Sequence, residues 1–223
     1  WLGRFDGPSP LAAFDAWAGA RATSLVGLFA DLGTGADLGV SRIALLPSLD
    51  RLADDDAMAL ARAALETPEF CARPSWAGAP AETGAIARCH DRQPVAAWLA
   101  VRGRGVGARM LPRLLELARL PARLRRPDGA LVRAWRIDAS TGMAGVETSR
   151  GLLMHIVRLD DGKVWQYRII APTEWNFHPD GPLAQALAGL PEGADIVAAA
   201  RQVALSLDPC VDYTLSCGTA DHA

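Results

Sequence analysis

The sequence predicts an α+β fold, mostly helical, with a small antiparallel β-hairpin sheet. Three observations predict it. Half of the 223 residues are hydrophobic but only 6% are aromatic, and Ala, Leu and Arg abound, which suits an interior of packed helices. Apolar residues recur near helical spacing through the first half, then switch to alternation or β-branched runs in "GMAGVET", "RGLLMHIVRL" and "KVWQYRIIA". Between the last two runs stands "DDGK" (160–163), a hairpin turn signal.

Residues 9–31 read as one helix: Ser9 and Pro10 supply an N-cap and a first-turn proline, and Leu11, Phe14, Trp17, Ala18, Leu25, Leu28 and Phe29 form its stripe. "DLGTGADLG" (31–39) is a glycine-rich connection, and "VSRIALLPSL" (40–49) fits strand or buried helix equally. "ADDDAMALARAALE" (53–66) is a helix whose acidic start suits the positive end of the dipole, with Met58, Leu60, Ala61, Ala64 and Leu65 as its apolar stripe. Residues 67–93 read as irregular, 94–101 and 105–120 as helical, and 120–129 as a polar connection. Residues 142–171 read as a hairpin with a preceding strand; 182–190 and 194–206 return to helix. No internal repeat or low-complexity tract interrupts the chain, and a single domain over 1–223 is expected.

The charge balance excludes some partners. A net charge of −2 and a pI near 6.1 give no global attraction to nucleic acid or anionic lipid. No apolar run approaches the roughly 20 residues of a spanning helix; the longest, "PVAAWLAV" (94–101), reads as core. No signal peptide is visible, although the chain opens on Trp1 rather than Met, as a trimmed or truncated chain would. Cys71, Cys89, Cys210 and Cys217 form no CxxC pair, so a reduced, cytoplasmic protein is the expectation.

Several motifs have plain explanations. "GRGVGAR" (103–109) resembles a phosphate loop but lacks the preceding strand and following acid of a dinucleotide site, so it reads as a helix entry with small residues for close packing. Arg119, Arg123, Arg125, Arg126, Arg133 and Arg136 have only Trp135 nearby, so a solvated or partner-facing surface is expected rather than a nucleic-acid site. His155 reads as a hydrogen-bonded strand residue; His90, His178 and His222 lack ligand spacing, and no GxSxG elbow occurs.

Three segments in order then carry a resemblance. "RPSWAGAPAETGAIAR" (73–88), "VETSRGLLMHIVRLDDGKVWQYRIIAPTEWNFHPDGPLAQAL" (146–187) and "DPC" (208–210) resemble the "E-x-G-P-L-A-R", "E-A-P-R-G-x-L-x-H … P-T-x-W-N … G-P-x-E-x-A-L" and "D-P-C-x-x-C-x-x-H" segments of nickel–iron hydrogenase large subunits. The ordered match, 66–217, is similar to the C-terminal half of that family and implies a hydrogenase-large-subunit-like core. The departures are chemical. Tyr213 stands at the family's second C-terminal cysteine and Ser216 at its closing histidine. Soft thiolates are what hold nickel beside low-spin iron, so the resemblance implies no nickel and no hydrogen cleavage.

What is retained suits an iron dressed with cyanide and carbon monoxide. At the matching positions the resemblance implies Arg150 and Thr173, after Pro172, as donors to cyanide. Ala171, Pro172 and Leu207 would form an apolar wall for carbon monoxide, Cys210 would supply the iron thiolate, and Asp208 would shape the Cys210 turn. Cys217 is either a second, flexible ligand or an incidental thiol; Cys71 and Cys89 read as ordinary thiols. This pattern resembles the HupK/HoxV type of hydrogenase accessory protein. It implies a non-catalytic scaffold for an Fe(CN)2CO assembly intermediate, with hydrogenase maturation proteins or hydrogenase subunits as partners. Two further readings stay open: a metal-free mimic that engages chaperones, and for Arg150 a buried arginine held by Glu82 or Glu147.

Overall fold

The protein is described from a computed structural model covering residues 10–20, 23–33, 36–125, 131–191 and 195–216. Ser9, Arg126, Cys217 and His222 lie outside the described residues. Where one N-terminal helix is expected, the structure has two, α1 (Leu11–Gly19) and α2 (Ser24–Leu32). The second has its own N-cap, the Thr23 hydroxyl accepting from Val26 N at 3.3 Å. The ambiguous stretch is mainly irregular and holds only β1 (Ala44–Leu45). α3 (Asp54–Glu66) carries Asp54, Asp55 and Asp56 in its first turn and buries Ala57, Leu60, Ala61, Ala64 and Leu65.

Residues 67–93, expected to be irregular, contain β2 (Ala81–Glu82), parallel to β1, and α4 (Ala85–Cys89). A two-residue strand and a five-residue helix are too short to show a period. α5 (Val95–Arg102) and α6 (Val106–Arg125) follow, and α6 runs through Pro121 into the expected connection. The proline removes one helical donor, and it does so where neighbouring Leu117, Leu120 and Leu124 are exposed, so water can reach the freed carbonyl.

The sheet has four antiparallel strands in order: β3 (Val132–Arg136), β4 (Thr141–Thr148), β5 (Gly151–Asp160) and β6 (Lys163–Ile170). β3 is the strand the arginine-rich reading missed. Asp161 and Gly162 make the β5–β6 turn with φ of 46° and 71°. Met143, Leu152, Met154, Ile156 and Ile170 face inward and pack with α3, Leu46, Leu49 and Trp175. The opposite face carries Leu153, His155, Val157, Trp165, Tyr167 and Ile169, with Trp165 at 72% exposure. There the His155 ring stacks on Tyr167 and its Nδ1 lies 2.5 Å from the phenol oxygen.

After the sheet come α7 (Pro172–Asn176), a short helix not anticipated, then α8 (Pro182–Ala188) and α9 (Ile196–Ser206). A second apolar cluster joins α1, α2, α4, α5 and α6 through Phe14, Phe29, Ile86, Trp98 and Leu111. A third joins α6, α8 and α9 through Val106, Ala186 and Val203.

The "GRGVGAR" segment enters α6 as small residues permit. A Cβ on Gly107 would sit 2.2 Å from Trp98 Cζ2. The amides that a phosphate would need are taken by the Asp37 carboxylate, which accepts from Gly105 N, Gly107 N and Ala108 N at 3.1, 2.8 and 2.7 Å. Gly107→Ala is expected to destabilise by about 1–3 kcal/mol through overpacking, read as a lower urea midpoint at unchanged slope.

Candidate functional site

Three loops converge beside β2, and Thr83 ties two of them. Its backbone amide donates to Asn176 Oδ1 at 2.9 Å and its carbonyl accepts from Asn176 Nδ2 at 3.2 Å. Its hydroxyl accepts from Leu152 N at 3.0 Å. The first pair fixes α7, which begins at buried Pro172 and carries Thr173. The last fixes the start of β5, immediately after Arg150. A Cβ on Gly151, at φ 136°, would lie 2.5 Å from Thr83 Cγ2, so only glycine allows this approach.

The Arg150 turn is held on its other side as well. Thr148 Oγ1 accepts from Arg150 N at 3.2 Å and donates to Gly151 O at 2.8 Å. Arg88 on α4 donates to Thr148 O at 3.1 Å, to Glu147 at 2.7 Å and to Glu116 on α6 through two bonds of 2.6 and 2.8 Å. These carboxylates hold the Arg88 guanidinium well above its ordinary pKa despite burial.

The third loop follows α9. Leu207 is buried, Asp208 turns the chain with φ 56°, and Cys210 stands exposed as a free thiol. Aspartate is among the few non-glycine residues that tolerate this left-handed conformation. Cys210 Sγ lies 3.1 Å from Thr173 Oγ1. Arg150 Nε lies 3.7 Å from Asp208 Oδ1, with the two side chains 43% and 35% exposed. Such a solvated pair contributes little stability, so Arg150 remains available to a better acceptor.

The structure therefore brings Arg150, Pro172, Thr173, Asp208 and Cys210 to one patch, while Cys217 lies outside the described residues. The reading of Arg150 as a buried arginine held by Glu82 or Glu147 is corrected. Glu82 pairs with Arg109 at 2.7 Å, and Glu147 is taken by Arg88 and by Leu49 N at 2.7 Å. Thr83 was not anticipated; the available signal was Gly84 beside it, at φ 127°, where an added Cβ would lie 3.3 Å from Arg150 O.

Behind the patch is a small cleft lined by Glu82, Arg109, Arg113, Asn176, Ser206 and Leu207. Its volume of about 10 Å³ is room for one water. An iron with three diatomic ligands does not fit inside it, and Cys210, Thr173 and Arg150 do not line it; Cys210 and Arg150 face solvent instead. Among the described residues no three His, Cys, Asp or Glu side chains gather to hold a metal ion by themselves. The donor set still fits an iron whose other positions are filled by its own ligands: one exposed sulfur, one hydroxyl beside it and one solvent-facing guanidinium.

Other reactive groups are occupied elsewhere. Burial pushes the Cys71 and Cys89 thiols up, which makes them poor nucleophiles at neutral pH. His90 Nδ1 contacts Ala87 O at 3.0 Å and His178 Nδ1 accepts from Asp180 N at 3.0 Å. Tyr213 and Ser216, at the positions where the resembling family has thiolate and imidazole, are exposed.

Residues 109–219 match the family model of nickel-dependent hydrogenases. The chain belongs to the nickel–iron hydrogenase large-subunit-like proteins, and within them to those of the HupK/HoxV type. The hydrogenase expression/formation protein HupK of Bradyrhizobium diazoefficiens is 37% identical over 191 residues, covering 82% of this chain and 51% of that protein. The hydrogenase expression/formation protein HoxV of Cupriavidus necator is 36% identical over 194 residues, covering 79% and 49%. The chain thus spans about half the length of the curated relatives it matches. Among solved structures, the reduced Ni-Fe-Se hydrogenase of D. vulgaris Hildenborough is 22% identical with a TM-score of 0.44, over 62% of this chain and 36% of that one. No described helix is long and apolar enough to cross a membrane.

Proposed function

We propose that this chain is a non-catalytic accessory protein of nickel–iron hydrogenase maturation that transiently holds the Fe(CN)2CO unit as cargo. The observation that carries the reading is the contact of Cys210 Sγ with Thr173 Oγ1 at 3.1 Å, on the same patch as the Arg150–Asp208 pair. Cys210 supplies the thiolate that anchors iron. Thr173 and Arg150 donate hydrogen bonds to the cyanide nitrogens, which are anionic acceptors that a guanidinium fork suits. Buried Pro172 and Leu207, with Ala171, give carbon monoxide an apolar wall. Asp208 holds the turn that presents the sulfur and keeps Arg150 close until the cargo arrives.

Nickel is not part of the proposal, because Tyr213 and Ser216 offer no bridging thiolate. The expression/formation names of the relatives support the accessory role, and free cysteines support a reducing cytoplasm. Maturation proteins or hydrogenase subunits are the proposed partners, without nucleic acid or membrane. Cys217 would be a second ligand only if the C-terminal segment brings it to the same iron.

A specific observation favours one alternative, a metal-free mimic that engages maturation chaperones. The outer sheet face presents Trp165, Tyr167 and Ile169 at 72%, 48% and 41% exposure, an apolar surface suited to a protein partner. Infrared spectra of protein purified anaerobically from cells with complete maturation machinery separate the two. Cyanide and carbonyl bands in the native chain, absent in Cys210→Ser, are the expected result. A native spectrum without them favours the mimic, and bands surviving Cys210→Ser remove Cys210 as anchor.

A further inference from the structure

The segment that presents Cys210 leaves the end of α9, and that end is gripped from α6. A helix terminus leaves its last carbonyls without helical donors. Arg113 Nη2 donates to Ser206 O at 2.8 Å and Nη1 to Leu205 O at 3.5 Å, while Met110 Sδ lies 3.6 Å from Nη1. Leu205 O also accepts from Asp208 N at 3.1 Å. One carbonyl thus receives both the α6 guanidinium and the amide of the residue that starts the Cys210 turn.

Burial disfavours the Arg113 charge and draws its guanidinium below the ordinary pKa; Asp208 and Glu82 oppose the shift, and Arg109 and Arg150 add to it. Its oxygen partners are two carbonyls at the α9 C-terminus, where a cation is favoured by the dipole. A fork spanning two successive carbonyls fixes direction as well as distance, which a single ammonium does not.

We propose that Arg113 is a positioning residue whose fork on the Leu205 and Ser206 carbonyls aims the Asp208–Cys210 turn, holding Cys210 Sγ against Thr173 Oγ1. The inference deepens the proposed site, and its test uses metal-free protein, so infrared silence and failure of this test are distinguishable. Site-resolved mass spectrometry follows alkylation of Cys210 by iodoacetamide. In the otherwise native chain, Thr173→Val is expected to change the Cys210 rate about threefold, within the coupling usual for contacting groups. In an Arg113→Ala background the same change is expected to have almost no effect, because sulfur and hydroxyl no longer meet. Arg113→Lys, which reaches one carbonyl, should show a reduced but measurable effect, and it replaces Arg113→Ala if that variant does not fold. Gly107→Ala, which destabilises the same helix by overpacking, should leave the threefold effect intact. Full coupling in both Arg113 variants, or its loss in Gly107→Ala, would overturn the proposal.

Discussion

Asp37→Ala is expected to take away a large share of the protein's stability. The carboxylate is 5% exposed and accepts from four donors: Gly105 N, Gly107 N, Ala108 N, and Trp98 Nε1 at 3.0 Å. Three are amides at the start of α6, where a negative charge also meets the positive end of the dipole. The fourth is the indole of a fully buried tryptophan at the centre of the second apolar cluster. Hydrogen bonds to a charged group contribute about 1.5–3 kcal/mol each. With partial replacement by water, a loss on the order of 4–5 kcal/mol follows, against about 5–15 kcal/mol for a whole domain. Asp37→Asn should be intermediate. Its oxygen can serve the three donors now sharing Oδ2, but its amide nitrogen would face Gly107 N with no acceptor to offer. Urea denaturation followed by tryptophan fluorescence checks the order native, Asn, Ala; equal midpoints for native and Ala would remove Asp37 from this role.

Arg109→Ala is expected to have a comparable effect by leaving a charge without its partner. Glu82 and Arg109 are buried, with side chains 1% and 2% exposed, joined by bonds of 2.7 and 3.1 Å. Breaking a buried pair from one side costs about 3–5 kcal/mol, while replacing both partners is far milder. Arg104, at 3.7 Å from Glu82, compensates only in part, because burial already disfavours its own charge. The double variant Arg109→Met with Glu82→Leu should therefore be more stable than Arg109→Ala alone. A double-mutant cycle in denaturant measures the difference, and additive losses would contradict a coupled pair. The effect extends to the candidate site, because Glu82 precedes Thr83, whose bonds hold α7 and the Arg150 turn.

Long periodic elements were legible from the chain. α3 declares itself by three aspartates before an apolar stripe, and the β5–β6 hairpin by Asp161–Gly162 between alternating runs. Short elements were not. β2 and α4 exist because parallel pairing with β1 and packing on α6 stabilise them, not because of any local pattern. β3 was hidden in arginines whose charges are met tertiarily: Arg133 bonds the Leu49 and Leu52 carbonyls and Asp54.

By itself the sequence determined the helix-rich α+β class, the hairpin, the resemblance to a hydrogenase large subunit and the tyrosine at the second C-terminal cysteine position, because periodicity, turn residues and ordered motifs are local properties. Only the tertiary structure decided that Arg150 faces solvent beside Asp208 rather than Glu82, that Thr83 ties two loops, and that Arg113 grips the end of α9. Those outcomes rest on which donor reaches which acceptor across tens of residues. Packing brings those groups together, and Arg109 and Arg88 occupy the Glu82 and Glu147 carboxylates before Arg150 can; no window of the chain contains both sides of that choice.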